Sequence, residues 1–289
     1  MSITDFSGRV AFVTGGARGI GLGIVRALLR RGARVAVADV DAGALERARE
    51  LLGVPAEQLR CYQLDVADRE QYAEVASTVH SELGEVSLLF NNAGIIDSVS
   101  PSRLSARMWD HVMGINLDGV YHGIEAFLPG MIASPLRCHI VNTSSEAGLL
   151  EARSGFLYHA GKFAVVGLSE SFRRELTHFD IGVSVLFPGP VATDIVENTR
   201  GLRPAAAPTH SPRITRILDD AHRVLKEQGA SPDAVGELVL DAVETDAPYI
   251  ATRNEIGDLL RRRTGELVAA MEHAEKFLAS YEAAEGKAG

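Results

Sequence analysis

Tyr158 and Lys162 stand four residues apart in a segment, residues 155–179, whose apolar spacing predicts a helix, so both side chains leave it on one face. A phenol ordinarily titrates near pH ~10. An ammonium group held a few ångströms away favours the phenolate. Such a pair can take a proton from an alcohol oxygen or return one to a carbonyl oxygen. Ser145 closes a predicted strand 13 residues before Tyr158, where its hydroxyl can polarise the same oxygen and steady the charge developing on it. Singly, each residue has a plainer explanation: a packed aromatic with a satisfied hydroxyl, a solvated helix lysine, a serine cap. Only a fold that gathers all three at one point gives them chemistry.

A second chemical signal lies near the start of the chain. Thr14-Gly15-Gly16-Ala17-Arg18-Gly19-Ile20-Gly21 joins a predicted strand to a predicted helix. Backbone amides at a helix start attract an anion, and glycine lets a pyrophosphate approach the backbone. Asp39 ends the next strand, 25 residues after Thr14. A carboxylate there accepts hydrogen bonds from the ribose hydroxyls of an adenosine and repels a 2′-phosphate. Asp39 and Asp41 argue for NAD, and Arg18, a cation in the glycine turn, argues for NADP. Two acids against one base favour NAD.

The elements that must position these groups alternate in period. Strand-like runs cover residues 9–14, 34–39, 60–65, 87–91, 139–143 and 182–187; helical spacing covers 19–31, 42–52, 69–83, 106–132 and 155–179. Alternating strands and helices imply right-handed crossovers and a parallel sheet. Continuous apolar strands such as Val10-Ala11-Phe12-Val13 imply burial on both faces. The expectation is an α/β, doubly wound sheet of about seven strands, with ligands at the carboxyl ends of the strands. After residue 194 the texture changes: Pro204, Pro208 and Pro212 break the chain, and residues 213–245 are helical in two pieces divided near Gly229 and Pro232. Residues 249–252 suit a last short strand, and 254–284 form a helical tail with Ile256, Leu259, Leu260, Leu267, Met271 and Leu278 near one face. We expect one sheet domain over 1–252, including a substrate lid over 194–230, and a helical extension over 253–289.

Composition excludes other classes. With 29 basic and 38 acidic residues, the formal net charge of −9 disfavours nucleic acid. The 2 cysteines, Cys61 and Cys138, build neither a disulfide scaffold nor a zinc site. No apolar run is long enough to span a bilayer, and the N-terminus lacks the pattern of a signal peptide. A cytoplasmic protein with no metal is expected. His139 and His159 read as satisfied or surface histidines, Trp109 as packing, and Arg261-Arg262-Arg263 as a solvated helix face or subunit contact.

The motifs together resemble the short-chain dehydrogenase/reductase family. Thr14 to Gly21 fits its Thr-Gly-x-x-x-Gly-x-Gly turn, and Asp65-Val66 looks like its adenine-contacting pair. Asn91-Asn92-Ala93-Gly94, Asn116, Ser144-Ser145, Tyr158-His-Ala-Gly-Lys162 and Pro188-Gly189-Pro190-Val191-Ala192-Thr193 follow in the family's order. The resemblance implies a Rossmann-type fold and a hydride exchanged between NAD and a secondary alcohol or ketone. It implies Asn116, Ser145, Tyr158 and Lys162 as catalytic residues, with Ser144 bonded to backbone. Asn116 would hold a water linking Lys162 to solvent, and Lys162 would bond the nicotinamide ribose. The implied cofactor contacts are Gly15, Arg18, Gly19, Ile20, Gly21, Asp39, Asp65, Val66, Asn92, Ala93, Gly94, Tyr158, Lys162, Pro188, Gly189, Val191 and Thr193. His159 and the mid-helix Gly161, which costs about 1 kcal/mol against Ala, depart from the usual small residues of the family. A close backbone contact would account for Gly161.

The tail is similar to longer family members that include NAD-dependent Cα-dehydrogenases of lignin-type aryl ethers. A pocket near Ile95, Ile96, Ala147, Leu149, Leu150 and Pro190 suggests a hydrophobic or aromatic substrate. Family members form dimers or tetramers through the long helices, here 106–132 and 155–179. Two alternatives stand beside this reading. An NADPH-preferring carbonyl reductase rests on Arg18 alone, and a non-catalytic dinucleotide sensor is disfavoured by the presence of both Tyr158 and Lys162.

Overall fold

A computed structural model describes residues 3–150 and 155–285. The last four residues of the expected tail, and residues 1–2 and 151–154 of the expected sheet domain, lie outside the described residues. The chain divides into two units, Met1–Thr252 and Arg253–Gly289. In the first, strands and helices alternate: β1 (Val10–Thr14), α1 (Gly19–Arg30), β2 (Arg34–Asp39), α2 (Ala42–Leu52), β3 (Leu59–Gln63), α3 (Arg69–Leu83), β4 (Val86–Asn91), α4 (Ala106–Met113), α5 (Gly119–Ala133), β5 (Cys138–Thr143), α6 (Phe156–Leu176) and β6 (Ile181–Phe187). They are followed by α7 (Ile195–Leu202), α8 (Pro212–Gln228), α9 (Pro232–Thr245) and β7 (Tyr249–Ala251). The second unit contains α10 (Gly257–Glu285), 29 residues long and starting three residues later than its periodicity suggests.

The seven strands form one sheet in the order β3-β2-β1-β4-β5-β6-β7, and every neighbouring pair is parallel. This is the doubly wound, Rossmann-like sheet anticipated from the alternation. Period-two side-chain direction splits β1 between two cores. Ala11 and Val13 join Ile24, Leu28 and Val239 on one face, whereas Val10 and Phe12 join Tyr72, Ile124 and Phe127 on the other. Strand order reverses between β1 and β4, so their carboxyl ends, Thr14 and Asn91, open the crevice where ligands bind in such sheets. Helices α1 and α9 press together through glycine: a Cβ at Gly23 would sit 2.0 Å from the Pro232 carbonyl oxygen, and one at Gly236 would sit 2.3 Å from the Gly23 backbone. Arg26 and Asp233, 2.9 Å apart, flank that contact.

The structure departs from expectation in two places. The stretch expected as one helix over 106–132 is interrupted by a π-helical turn, Gly114–Asp118, between α4 and α5. Hydrophobic spacing cannot register one wide turn, yet that turn is what carries Asn116 fully into the interior. The segment 194–230 is mostly helix, with Pro204 and Pro208 confined to the connection and Pro212 at the start of α8, where proline is tolerated.

That connection is held by a buried ion pair that the sequence did not flag. The Asp97 side chain is fully buried; it accepts hydrogen bonds from Arg203, from His210 Nε2 at 2.9 Å and from the Ser98 amide at 2.7 Å. Arg203 also donates to the Pro208 carbonyl at 2.6 Å, and Ala207 packs on Ile95, Val99 and Leu157. Desolvated charges are tolerated only as a complete set, because removing one partner strands the other in low dielectric. At the opposite end of the sheet His139 is buried between Ser184 and Asp246. Ser184 donates to Ala247 O at 2.6 Å, so the 2.8 Å contact to His139 has the Nε2–H donating to Ser184. Burial lowers the His139 imidazole from its ordinary 6.5 to about 3, although Asp246, 3.9 Å away, pulls upward.

Two predictions follow from these buried groups. The unfolded chain protonates His139 near pH 6.5 whereas the folded protein does so only near 3, so between these values the unfolded state binds more protons and stability falls with pH. Urea titrations of His139→Gln should therefore lose less stability than the wild type between pH 7 and 4, by about 3 kcal/mol at most; parallel curves would contradict the buried neutral imidazole. Asp97→Ala should lower unfolding free energy by about 3–5 kcal/mol, and Asp97→Leu combined with Arg203→Met should recover most of it. Equal losses in the single and double variants would show that the two residues are not coupled.

Candidate active site

The crevice at the carboxyl ends of β1 and β4 is built by the glycine turn and the loop after β4. Gly15 and Gly19 have φ of +59° and +54°, a backbone region that suits glycine. A Cβ at Gly15 would lie 3.0 Å from Ala93 Cα, and one at Gly21 would lie 2.2 Å from the Gly15 carbonyl oxygen. The turn is thus bare backbone, and no side chain caps the start of α1. Thr14 Oγ1 accepts from the amides of Asn92 at 3.0 Å and Ala93 at 3.1 Å, and Asn92 Nδ2 donates back to Thr14 O at 3.1 Å. These bonds weld the two loops together. A cradle of open helix amides with no Cβ in the way fits a pyrophosphate.

Asp39 ends β2 almost fully buried, accepting from the amides of Ala17 at 3.4 Å and Asp41 at 3.1 Å. Burial raises its carboxyl above the ordinary value, with the Asp41 amide and the Arg18 charge pulling down. Asp65 lies in the turn after β3, exposed, capping the Ala67 amide at 3.0 Å, while Val66 is buried against Gly119. After β6, Pro188 O accepts from the Glu146 amide at 3.2 Å, the Gly189 amide donates to Thr252 at 2.8 Å, and Val191 pairs with Ala230. Thr193 reaches back over the glycine turn, within 2.9 Å of where a Gly19 Cβ would lie. The chain therefore brings Gly15, Gly19, Gly21, Asn92, Ala93 and Thr193 to one crevice.

The second group gathers where β5 meets α6. Ser145 begins the short turn Glu146–Gly148; its hydroxyl accepts from the Ala147 amide at 3.1 Å and lies near enough to the buried Tyr158 hydroxyl to pull that phenol down. Ser144 instead donates to Lys162 O at 2.8 Å. Lys162 Nζ donates to Thr143 O at 2.9 Å and lies 5.8 Å from the Tyr158 ring centre. A Cβ at Gly94 would come within 3.2 Å of that Nζ and 3.0 Å of Asn116 Oδ1, so the three residues meet at one point.

The electrostatics differ from the sequence expectation. Burial lowers the Lys162 ammonium from 10.5 to about 8. Burial also raises the Tyr158 phenol, and the group that pulls it down is the Ser145 hydroxyl rather than Lys162. The Lys162 ammonium is directed at the Thr143 carbonyl, with the Tyr158 ring centre 5.8 Å away. Asn116 is engaged at both ends of its amide, accepting from Ile95 N at 2.9 Å and donating to Ile95 O at 3.0 Å. Ile95, expected to line the pocket, packs instead with Met108, Val112 and Leu157, whereas Ile96 faces Val196, Ile214 and Leu218 of the 194–230 segment. A Cβ at Gly161 would meet Asn116 Cβ at 3.4 Å and Met113 Sδ at 3.6 Å, ordinary contact distances, so no close backbone approach explains the glycine. Sequence reasoning missed the bracing roles of the Thr14 hydroxyl and Thr143 carbonyl, and the Asp97 pair. The one available signal was an acid, Asp97, following two isoleucines.

Among the described residues there is no cluster of three His, Cys, Asp or Glu able to hold a metal, and no helix long and apolar enough to cross a membrane. The family model described as short chain dehydrogenase matches residues 9–202. A C alpha-dehydrogenase from Sphingobium sp. (strain NBRC 103272 / SYK-6) is 35% identical over 262 residues, covering 89% of this chain and 85% of the relative. A galactitol 2-dehydrogenase from Agrobacterium fabrum is 31% identical over 252 residues, covering 84% and 93%. Among solved structures, a short chain dehydrogenase/reductase from Burkholderia phymatum in complex with NAD superposes with a TM-score of 0.86 at 32% identity, covering 93% of this chain and 97% of that one. The apo form of LigD from Sphingobium sp. strain SYK-6 gives 0.74 at 31% identity, covering 92% and 98%. With its parallel sheet, bare glycine turn and Ser-Tyr-Lys cluster in the order the motifs require, the chain belongs to the short-chain dehydrogenase/reductase family of oxidoreductases.

Proposed function

We propose that this protein is an NAD-dependent dehydrogenase of hydrophobic or aromatic secondary alcohols, reversible as a ketone reductase. The observation that carries the reading is the buried convergence of the Ser145 and Tyr158 hydroxyls beside Lys162. The named activity of the Sphingobium relative and the NAD bound to the Burkholderia structure support it. When bound, the dinucleotide supplies the hydride carrier; the chain supplies the rest. Asp39 accepts from the adenosine ribose hydroxyls, and the amides of Gly19, Ile20 and Gly21 face the pyrophosphate. Ser145 donates to the substrate oxygen and Tyr158 moves its proton: the phenol gives it to a carbonyl oxygen in reduction and takes it from the alcohol in oxidation. Burial favours the neutral Tyr158 phenol, the form that donates in reduction; oxidation needs the phenolate, which the Lys162 ammonium, near 8 and largely charged at neutral pH, and the positive nicotinamide ring of bound NAD would favour. Asn116 contributes by bracing Ile95 at the loop that carries Gly94.

The segment 194–230 acts as the substrate lid in this proposal, with Ile96 packed against it, and α10 belongs to the extension that follows the sheet domain after residue 252. Self-association belongs to the same reading. An open groove of about 380 Å³ beside α6, lined by Leu117, Leu168 and Phe172 among others, lies on the helices 106–132 and 155–179 that this reading assigns to the contact between copies. Light scattering should give the mass of a dimer or tetramer, and a clean monomer would refute it.

Incubation with NAD and a panel of aryl secondary alcohols such as 1-phenylethanol should generate NADH absorbance. Silence across the panel in both directions would remove the activity. Tyr158→Phe should lower kcat by about 10²–10⁴-fold while NADH still binds, and Ser145→Ala by about 10²–10³-fold. Near wild-type turnover in Tyr158→Phe would take proton transfer away from that residue.

A further inference from the structure

Helix α10 carries a repeat that the catalytic reading leaves unused. Between Leu260 and Tyr281, Thr264, Leu267, Met271, Ala274 and Leu278 follow at alternating steps of four and three residues. This is the seven-residue repeat of a coiled coil, held over three repeats with Thr264 as its most polar member. On a straight helix such a stripe drifts by about 20° per heptad, so it stays against a partner only where two helices wind around each other with a left-handed twist. Leu267, Met271 and Leu278 on the stripe are 48%, 69% and 58% exposed. Gly265 weakens the helix from within, and a helix draws most of its stability from packing its apolar face.

The charges identify the partner and its direction. Residues 258–271 hold Arg261, Arg262 and Arg263 against Asp258 and Glu266, whereas residues 272–282 hold Glu272, Glu275 and Glu282 against Lys276. A basic start and an acidic end run against the helix dipole, which favours acids in the first turn and bases in the last, so the pattern does not serve α10 alone. It is complementary to itself when reversed: the basic end of one copy matches the acidic end of another. Arg261 pairs with Asp258 of its own helix at 2.5 Å, but these side chains are 77% and 89% exposed, so that contact is weak and readily exchanged.

We infer that α10 is a self-association element that binds α10 of a second copy as an antiparallel two-stranded coiled coil. In the register that overlaps the whole stripe, Met271 faces Ala274 of the partner subunit, Leu267 faces Leu278 of the partner subunit, and Arg261 lies beside Glu282 of the partner subunit. The pair is two-fold symmetric, so each contact occurs twice. This surface consists of residues other than those of the groove beside α6, and the inference does not rest on the proposed activity.

Cross-linking of the full chain tests it. Leu267→Cys with Leu278→Cys, each single variant, and the wild type as control for Cys61 and Cys138 are treated with a short bismaleimide and run on denaturing gels. Within one helix the two positions lie about 16 Å apart, beyond the reagent. The double variant should yield a covalent dimer, and neither single variant should exceed the wild type. Adding Met271→Glu to the double variant should cut the fraction cross-linked at early times at least about tenfold, since a carboxylate enters the seam without a partner. Arg261→Glu should lower it at least about twofold, and Glu282→Arg in the same chain should restore it. That charge exchange reads the pairing even if Met271→Glu unfolds the helix.

A single variant that cross-links as well as the double would mean parallel helices and overturn the inference. No dimer in any variant would show that the stripe is covered by its own chain or by another partner, with the same consequence. A cross-link that survives Met271→Glu would reduce the pairing to proximity imposed by another contact. A loss in Arg261→Glu that Glu282→Arg does not reverse would overturn the antiparallel register.

Discussion

Two buried hydrogen bonds join α6 to the end of β5, and the arrangement of the site depends on them. Ser144 donates to the Lys162 carbonyl, and Lys162 donates from its side chain to the Thr143 carbonyl, so a single residue is tied through both backbone and ammonium. Together they set the rotation and height of the helix against the strand. With Lys162 fixed, Tyr158 one turn earlier must stand beside Ser145, the residue after Ser144. Gly148 makes the approach possible, since a Cβ there would lie 2.2 Å from Ser144 Oγ and 2.7 Å from Lys162 O. In a buried setting each bond carries weight because its loss would leave a carbonyl or hydroxyl unpaired away from water.

Burial also sets the protonation of the site. The same lack of water that strengthens those bonds raises Tyr158 and lowers Lys162, so the chain alone favours a neutral phenol beside an ammonium that gives up its proton more readily than a free lysine. The dinucleotide crevice follows a different logic. Its turn is open backbone with polar groups braced from behind by Thr14 and Asn92, and its charges, Asp39, Asp41 and Arg18, are arranged in a chain of contacts. One site is built by excluding solvent, the other by presenting amides to it. They meet at Gly94, whose missing side chain leaves room between Asn116 and Lys162.

Much of this was legible in the residues. Strand and helix order, the parallel sheet, the breaks at Gly229 and Pro232 and the final strand at 249–251 follow from period, glycine and proline. The i,i+4 spacing of Tyr158 and Lys162 implied one face before any contact was known. The π-helical turn at 114–118 was not legible, because one added residue per turn leaves no trace in hydrophobic spacing. Nor was the packing of Gly23 on Gly236, whose cause is a helix more than 200 residues away in the chain.

By itself, then, the sequence determined what depends on neighbours along the chain: which segments extend, which coil, where backbone must be bare, and which residue types could exchange a proton. Only the tertiary structure decided what depends on neighbours across it. Arg18 meets Asp41 and Asn198, Asp97 meets Arg203 and His210, and His139 faces Asp246. Ionisation and pairing are properties of the surrounding dielectric and of the nearest opposite charge, and both are fixed only when distant segments come together.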